Sequence, residues 1–194
     1  MEPKSNHGRR ELTKAHNRET ILAAAARVFA QLGFAATTVR DVIRATPLAS
    51  GTFYNYFKSK EEVYQALRDE VALAVRPRLR EARAGAETAQ DFLAQSFRAF
   101  FLFVAESGGP SAGPERFRMD SPEVLAGFAE LRADIEAAQA RGVLPAADAA
   151  ALTAALVGVA FELAEQVKAG RDVEEMTLFA TALFLGGLPA LARP

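Results

Sequence analysis

The chain has 194 residues, 50% hydrophobic and 24% charged, a balance suited to one large or two modest globular domains and unlike that of a disordered chain. It has no cysteine and only two histidines, His7 and His16, both near the start, which excludes disulfides, thiol catalysis and thiolate metal sites. The net charge of −1 conceals an asymmetry, because residues 1–68 carry eleven Lys and Arg against six Asp and Glu, and the rest carry twelve against eighteen. The basic portion is therefore the one suited to phosphate contact.

Residues 1–13 are polar and carry Lys4, Arg9 and Arg10. They read as a flexible basic arm, either a solvated tail or a segment reaching a phosphate or the minor groove. From 14 to 31 the apolar positions Ile21, Leu22, Ala25, Val28, Phe29 and Leu32 recur at helical spacing, and Gly33 supplies a C-terminal stop on which Phe34 can fold back. Thr38 with Asp41 three residues later has the form of a capping box for a short helix with Val39, Val42 and Ile43 on its core face. Thr46-Pro47-Leu48 is a turn. A second short helix is predicted over 49–57, with Phe53 and Phe57 directed inward, and Ser59 with Glu61 and Glu62 opens a long helix.

That helix carries the apolar stripe Val63, Leu67, Val71, Val75 and Leu79, with a kink expected at Pro77 and a break at Gly85. Its Arg76, Arg78, Arg80 and Arg83 read as a solvated helix end, or as an attraction for an anionic ligand. Further helices are predicted over 87–106, from the Ser121-Pro122 cap to about 140, over 146–168 and over 173–186. The class is all-α. The N-terminus lacks a secretory core and the longest apolar runs are broken by Glu or Gln, so a soluble cytoplasmic protein without a membrane partner is expected.

Residues from about 18 to 67 resemble the DNA-binding domain of the tetracycline-repressor-like (TetR) family of bacterial transcription regulators. The resemblance rests on the helix ending at Gly33, the Thr37-Thr38-Val39-Arg40-Asp41-Val42 start, and Gly51-Thr52-Phe53-Tyr54-Asn55-Tyr56-Phe57 running into Lys58-Ser59-Lys60-Glu61. It implies an N-terminal three-helix helix-turn-helix domain over 14–58, followed by a larger helical effector-binding and dimerisation domain over 59–194. It assigns phosphate contacts to Thr38, Tyr54 and Lys60, and groove-facing positions to Ser50, Gly51, Thr52, Asn55 and Tyr56. Tyr56 also suits half-buried packing with its hydroxyl in water. Arg40 and Arg44 would add general attraction. The chain departs from the family pattern in the turn, with Pro47 where glycine is usual, Ala49 for serine and Ser50 for a basic residue.

Ten of the fourteen phenylalanines follow residue 90. Most suit a helical core, and Phe92, Phe97, Phe100, Phe101, Phe103, Phe117 and Phe128 are also candidates to line an effector cavity. Small residues in the last two helices, among them Ala151, Ala154, Ala155, Gly158 and Gly187, allow close helix contact, either within one bundle or in a homodimer. The resemblance favours the dimer. The expected function is a ligand-responsive regulator, a repressor that binds a palindromic operator in double-stranded DNA as a dimer and is released by a small apolar effector. It would need no cofactor, metal or catalytic residue. Two rivals are an all-helical enzyme acting on an apolar small molecule and an interaction module that does not bind DNA. The first finds no thiol, no glycine-rich phosphate loop and no nucleophile–base pair to stand on.

Overall fold

The computed structural model describes residues 5–107 and 121–191, with side chains from residue 8 onward. These form eight helices and, among the described residues, no strand: α1 (Ser5–Leu32), α2 (Val39–Arg44), α3 (Ser50–Tyr54), α4 (Lys60–Ala84), α5 (Ala89–Ser107), α6 (Pro122–Ala140), α7 (Ala149–Lys168) and α8 (Val173–Leu191). They fall into two compact units, the first running to Asp69 and the second starting at Glu70.

The first unit is closed by Ile21, Leu22, Ala25 and Phe29 of α1, Val42 of α2, Phe53 of α3, Phe57, and Val63, Tyr64 and Ala66 of α4. The helix of α1 begins at Ser5, so residues 5–13 are helical rather than the expected arm. Two threonine hydroxyls brace this polar stretch, Thr13 donating to the Arg9 carbonyl and Thr20 to that of His16. The unit's end also moves from the expected 58/59 to Asp69, because the first two turns of α4 bury their apolar face in this core. Gly33 ends α1 with φ +76°, and Phe34 packs on Phe29 with ring centroids 5.5 Å apart. Tyr64 meets both rings, at 5.7 and 4.8 Å.

The second unit packs α5 against α7 and α8 around Phe92, Leu93, Phe97, Phe101, Ile135, Leu152, Leu156 and Ala180. Thr88 and Asp91 form a capping box for α5, Ser121 caps α6 with Pro122 at its first position, and Asp148 caps α7. α7 is long and apolar enough, by length and composition only, to cross a membrane, with a segment of mean hydropathy 1.4, although Glu162 and Glu165 break its apolar run as expected. Its Leu152, Thr153, Leu156, Ala164 and Val167 are buried within the unit. α8 continues through Pro189, past the expected end.

Candidate nucleic-acid interface

The α2–turn–α3 segment is set by three local devices. At the start of α2, the Thr38 hydroxyl accepts from the Asp41 N–H (3.3 Å) and donates to the Asp41 carboxylate (2.6 Å), which also accepts from the Thr38 N–H (2.9 Å). These bonds hold the Asp41 carboxyl below the usual carboxylate range. In the turn, no residue takes a left-handed conformation. Instead the Thr46 hydroxyl donates to the Ile43 carbonyl (2.8 Å) and accepts from the Leu48 N–H (3.2 Å), bridging the helix end to the residue beyond Pro47. Finally, Ala49 stands at the N-cap of α3 without a side-chain hydrogen bond, as expected where serine is missing.

α3 is shorter than predicted, with Asn55 as its C-cap. Phe53 and Phe57 are 1% and 6% exposed and fix it to the core. On the other side Ser50, Gly51, Tyr54 and Asn55 are exposed, Tyr54 at 57%, and Thr52 is half-buried. Tyr54 rests edge-on against Phe53, centroids 5.4 Å apart, which orients its ring while its end remains in solvent. A Cβ at Gly51 would meet no atom within 4 Å. Tyr56 is half-buried against the core and also walls a cleft with Arg9, Arg10, Thr13 and Lys14.

Two of the residues expected at phosphate have internal partners. The Thr38 hydroxyl proton is engaged by Asp41, which is itself an anion. The Lys60 ammonium donates to the carbonyls of Phe34 (2.8 Å), Ala35 (3.2 Å) and Thr37 (2.8 Å) and lies 4.6 Å from the Phe34 ring centroid. An ammonium has three protons, and all three are used. Sequence reasoning missed this because the acceptors precede Lys60 by more than twenty residues. It also missed Thr46 and the buried Tyr64.

In the second unit Phe92, Phe97 and Phe101 are 1%, 3% and 0% exposed and belong to the core. Phe100 packs partly buried against it and meets Phe161 edge-on at 5.5 Å. Phe103 is buried beneath the Arg78 guanidinium, 5.3 Å from its centroid, and Phe128 is half-buried. Phe117 lies outside the described residues. Of the arginines of α4, Arg78 and Arg80 are solvent-exposed as expected, Arg78 meeting Glu106 at 2.6 Å and Arg80 meeting Glu130, whereas Arg76, also on Glu130, and Arg83, 5% exposed and 2.7 Å from Asp134, are drawn into the fold. The Arg76 hydrogen bond holds the Glu130 carboxyl below its usual range. Among the described residues no three His, Cys, Asp or Glu side chains gather as a metal site would require.

Residues 21–67 match the family of bacterial regulatory proteins named for tetR. The HTH-type transcriptional repressor KstR2 of Mycolicibacterium smegmatis is 46% identical over 56 residues, which are 28% of this chain and 27% of that protein. The chain thus aligns with only about a quarter of that curated relative. Among solved structures, the fatty acid degradation regulator FadR of Bacillus halodurans is similar with TM-score 0.73 at 22% identity, over 89% of this chain and 96% of that one. FadR of Bacillus subtilis, solved in complex with stearoyl-CoA, gives 0.71 at 20% identity over 87% and 98%. A tetR-family regulatory protein of Rhodococcus RHA1 gives 0.69 at 22% over 92% and 98%. At these identities the structures show a shared fold, and the sequence match fixes the helix-turn-helix segment. The sequence match thus places residues 21–67 in the tetR family of bacterial regulatory proteins.

Proposed function

We propose that this regulator is a cytoplasmic, non-catalytic repressor that binds a palindromic operator as a homodimer and is released by a small apolar effector. The observation that carries the DNA-binding part is the exposed ridge of Ser50, Gly51, Tyr54 and Asn55, anchored from behind by Phe53 and Phe57. Short polar and aromatic side chains on an exposed helix face can enter a major groove, where Asn55 can pair with an adenine edge and Thr52 can meet a thymine methyl. Tyr54, Arg40 and Arg44 serve the phosphates, and Thr38 and Lys60 act by positioning the segment. The basic balance of residues 1–68 supports the same assignment.

The effector reading draws on the phenylalanines and on the B. subtilis neighbour. Phe92, Phe97 and Phe101 form a closed apolar floor, and the less buried Phe100 and Phe128 are the ones free to yield to a ligand. A long acyl chain suits such a wall, and the stearoyl-CoA held by that neighbour supports this class. α4 runs from the first unit into the second without a break. A ligand that favours one position of this helix by about 1–3 kcal/mol changes operator affinity by one to two decades.

The decisive experiment is selection of bound duplexes from random sequence. A two-fold symmetric consensus is expected. Tyr54→Phe weakens binding to all selected sequences, and Asn55→Ala relaxes preference at one base position per half-site. Recovery of no enriched sequence, or identical profiles for the two variants, overturns the assignment.

A further inference from the structure

We infer that the first turns of α1 form a second DNA contact, a cleft of Arg9, Arg10, Thr13, Lys14 and Tyr56 that takes the sugar–phosphate backbone beside the groove entered by α3. The inference rests on the DNA-binding reading above and extends it to four residues of α1 that the family-matched segment, 21–67, does not contain.

Three observations support it. First, the cleft joins three cationic side chains to Tyr56, two residues beyond the end of α3, so the recognition segment itself forms one wall. Second, among the described residues no carboxylate pairs with Arg9, Arg10 or Lys14, and Glu11 is not part of the lining. Third, Arg10 and Lys14 stand four residues apart on α1. Like charges at that spacing repel and weaken a helix. A solvated helix gains nothing from such a pair, whereas a polyanion laid along it turns the repulsion into attraction.

The chemistry fits a phosphodiester better than a base edge. Guanidinium and ammonium groups at the mouth of an open cleft fix a charge without reading a sequence, and a tyrosine hydroxyl can add one neutral hydrogen bond. Binding here therefore strengthens every site equally and lengthens the protected backbone, leaving base preference to α3.

The test uses the full chain and a labelled mixed-sequence duplex, titrated by fluorescence anisotropy over a range of salt. Arg9→Gln, Arg10→Gln and Lys14→Gln together keep good helix formers at each position. This variant is expected to lower the slope of log affinity against log salt by about 0.9 for each lost contact, about two to three per chain. Lys14→Gln alone is expected to lower it by about 0.9 per bound chain. A control removes three charges elsewhere, by Arg98→Gln, Arg132→Gln and Arg171→Gln, and is expected to keep the wild-type slope. On the duplex selected from random sequence, hydroxyl-radical footprints should shorten only in the α1 variant. If the triple variant keeps wild-type helicity and the wild-type slope, or if the control lowers the slope equally, the cleft is not a contact. If the wild-type chain binds no duplex at low salt, the DNA-binding reading itself falls, and this inference with it.

Discussion

At Gly51 an added Cβ would find open space, and the backbone makes no left-handed demand. A glycine inside a helix costs about 0.5–1 kcal/mol relative to alanine, so nothing within the chain itself rewards its presence here. In the proposed reading, close approach of a DNA groove does. Gly51→Ala is therefore expected to raise thermal stability by a few degrees while weakening operator binding, measured on one preparation by calorimetry and anisotropy. A gain in stability with unchanged affinity would remove Gly51 from the interface. Lys60 poses the opposite case. Its ammonium satisfies three carbonyls of the α1–α2 connection and lies over the Phe34 ring. Lys60→Met keeps the length and the apolar stem but leaves those carbonyls without their donor. A loss of about 1–3 kcal/mol in denaturant unfolding is expected, against a change near zero for Lys58→Met on the exposed side. Equal effects at the two lysines would mean that the ammonium is held by solvent rather than by the chain.

The helices were legible wherever a terminal signal is local. Thr38 with Asp41, Gly33 with Phe34, and Ser121 with Pro122 each act within a few residues, and all three stand in the structure as the sequence implies. The start of α1 was not legible, because residues 5–20 have no apolar stripe to announce a helix, and Leu12 in their midst is 73% exposed. The pairing of Arg76 and Arg83 was not legible for a related reason: their acceptors Glu130 and Asp134 lie far along the chain and become neighbours only on folding. The turn between α2 and α3 shows how a departure from a family pattern can be absorbed. Pro47 sits in a connection with no positive φ, and Thr46 supplies the bridging hydrogen bonds. Proline here restricts the unfolded chain without straining the folded one. Pro47→Gly, although closer to the usual pattern, is expected to destabilise the protein by about 0.4–1 kcal/mol. An increase in the denaturation midpoint would instead reveal strain at Pro47 that the backbone angles do not disclose.

At the scale of the whole molecule, the surface of the last two helices raises the question of a second copy. On α7, Ala151, Ala154, Ala155 and Gly158 are exposed at intervals of three and four, with Phe161 41% exposed beyond them. On α8, Leu178, Phe179 and Leu183 are 70%, 57% and 53% exposed, and Ala182 and Gly186 continue the row. Large side chains flanked by small ones suit two-fold contact, because the small residues let helices approach while the large ones fill the partner's gaps. Each large apolar side chain that becomes buried contributes about 1.5–3 kcal/mol, and a two-fold axis counts every one twice. Losing Leu178 and Leu183 from both copies therefore removes several kcal/mol, enough to raise the dissociation constant by about three decades or more. Since both residues are solvent-facing within one chain, Leu178→Asp with Leu183→Asp should leave the monomer's unfolding midpoint nearly unchanged. The variant should sediment as a monomer where the wild type sediments as a dimer. It should also lose preference for a palindrome over a single half-site, since one chain presents one α3 and a palindrome asks for two about 34–36 Å apart. A wild-type chain that sediments as a monomer would remove the two-fold contact, and a doubly substituted chain that still sediments as a dimer would place it elsewhere.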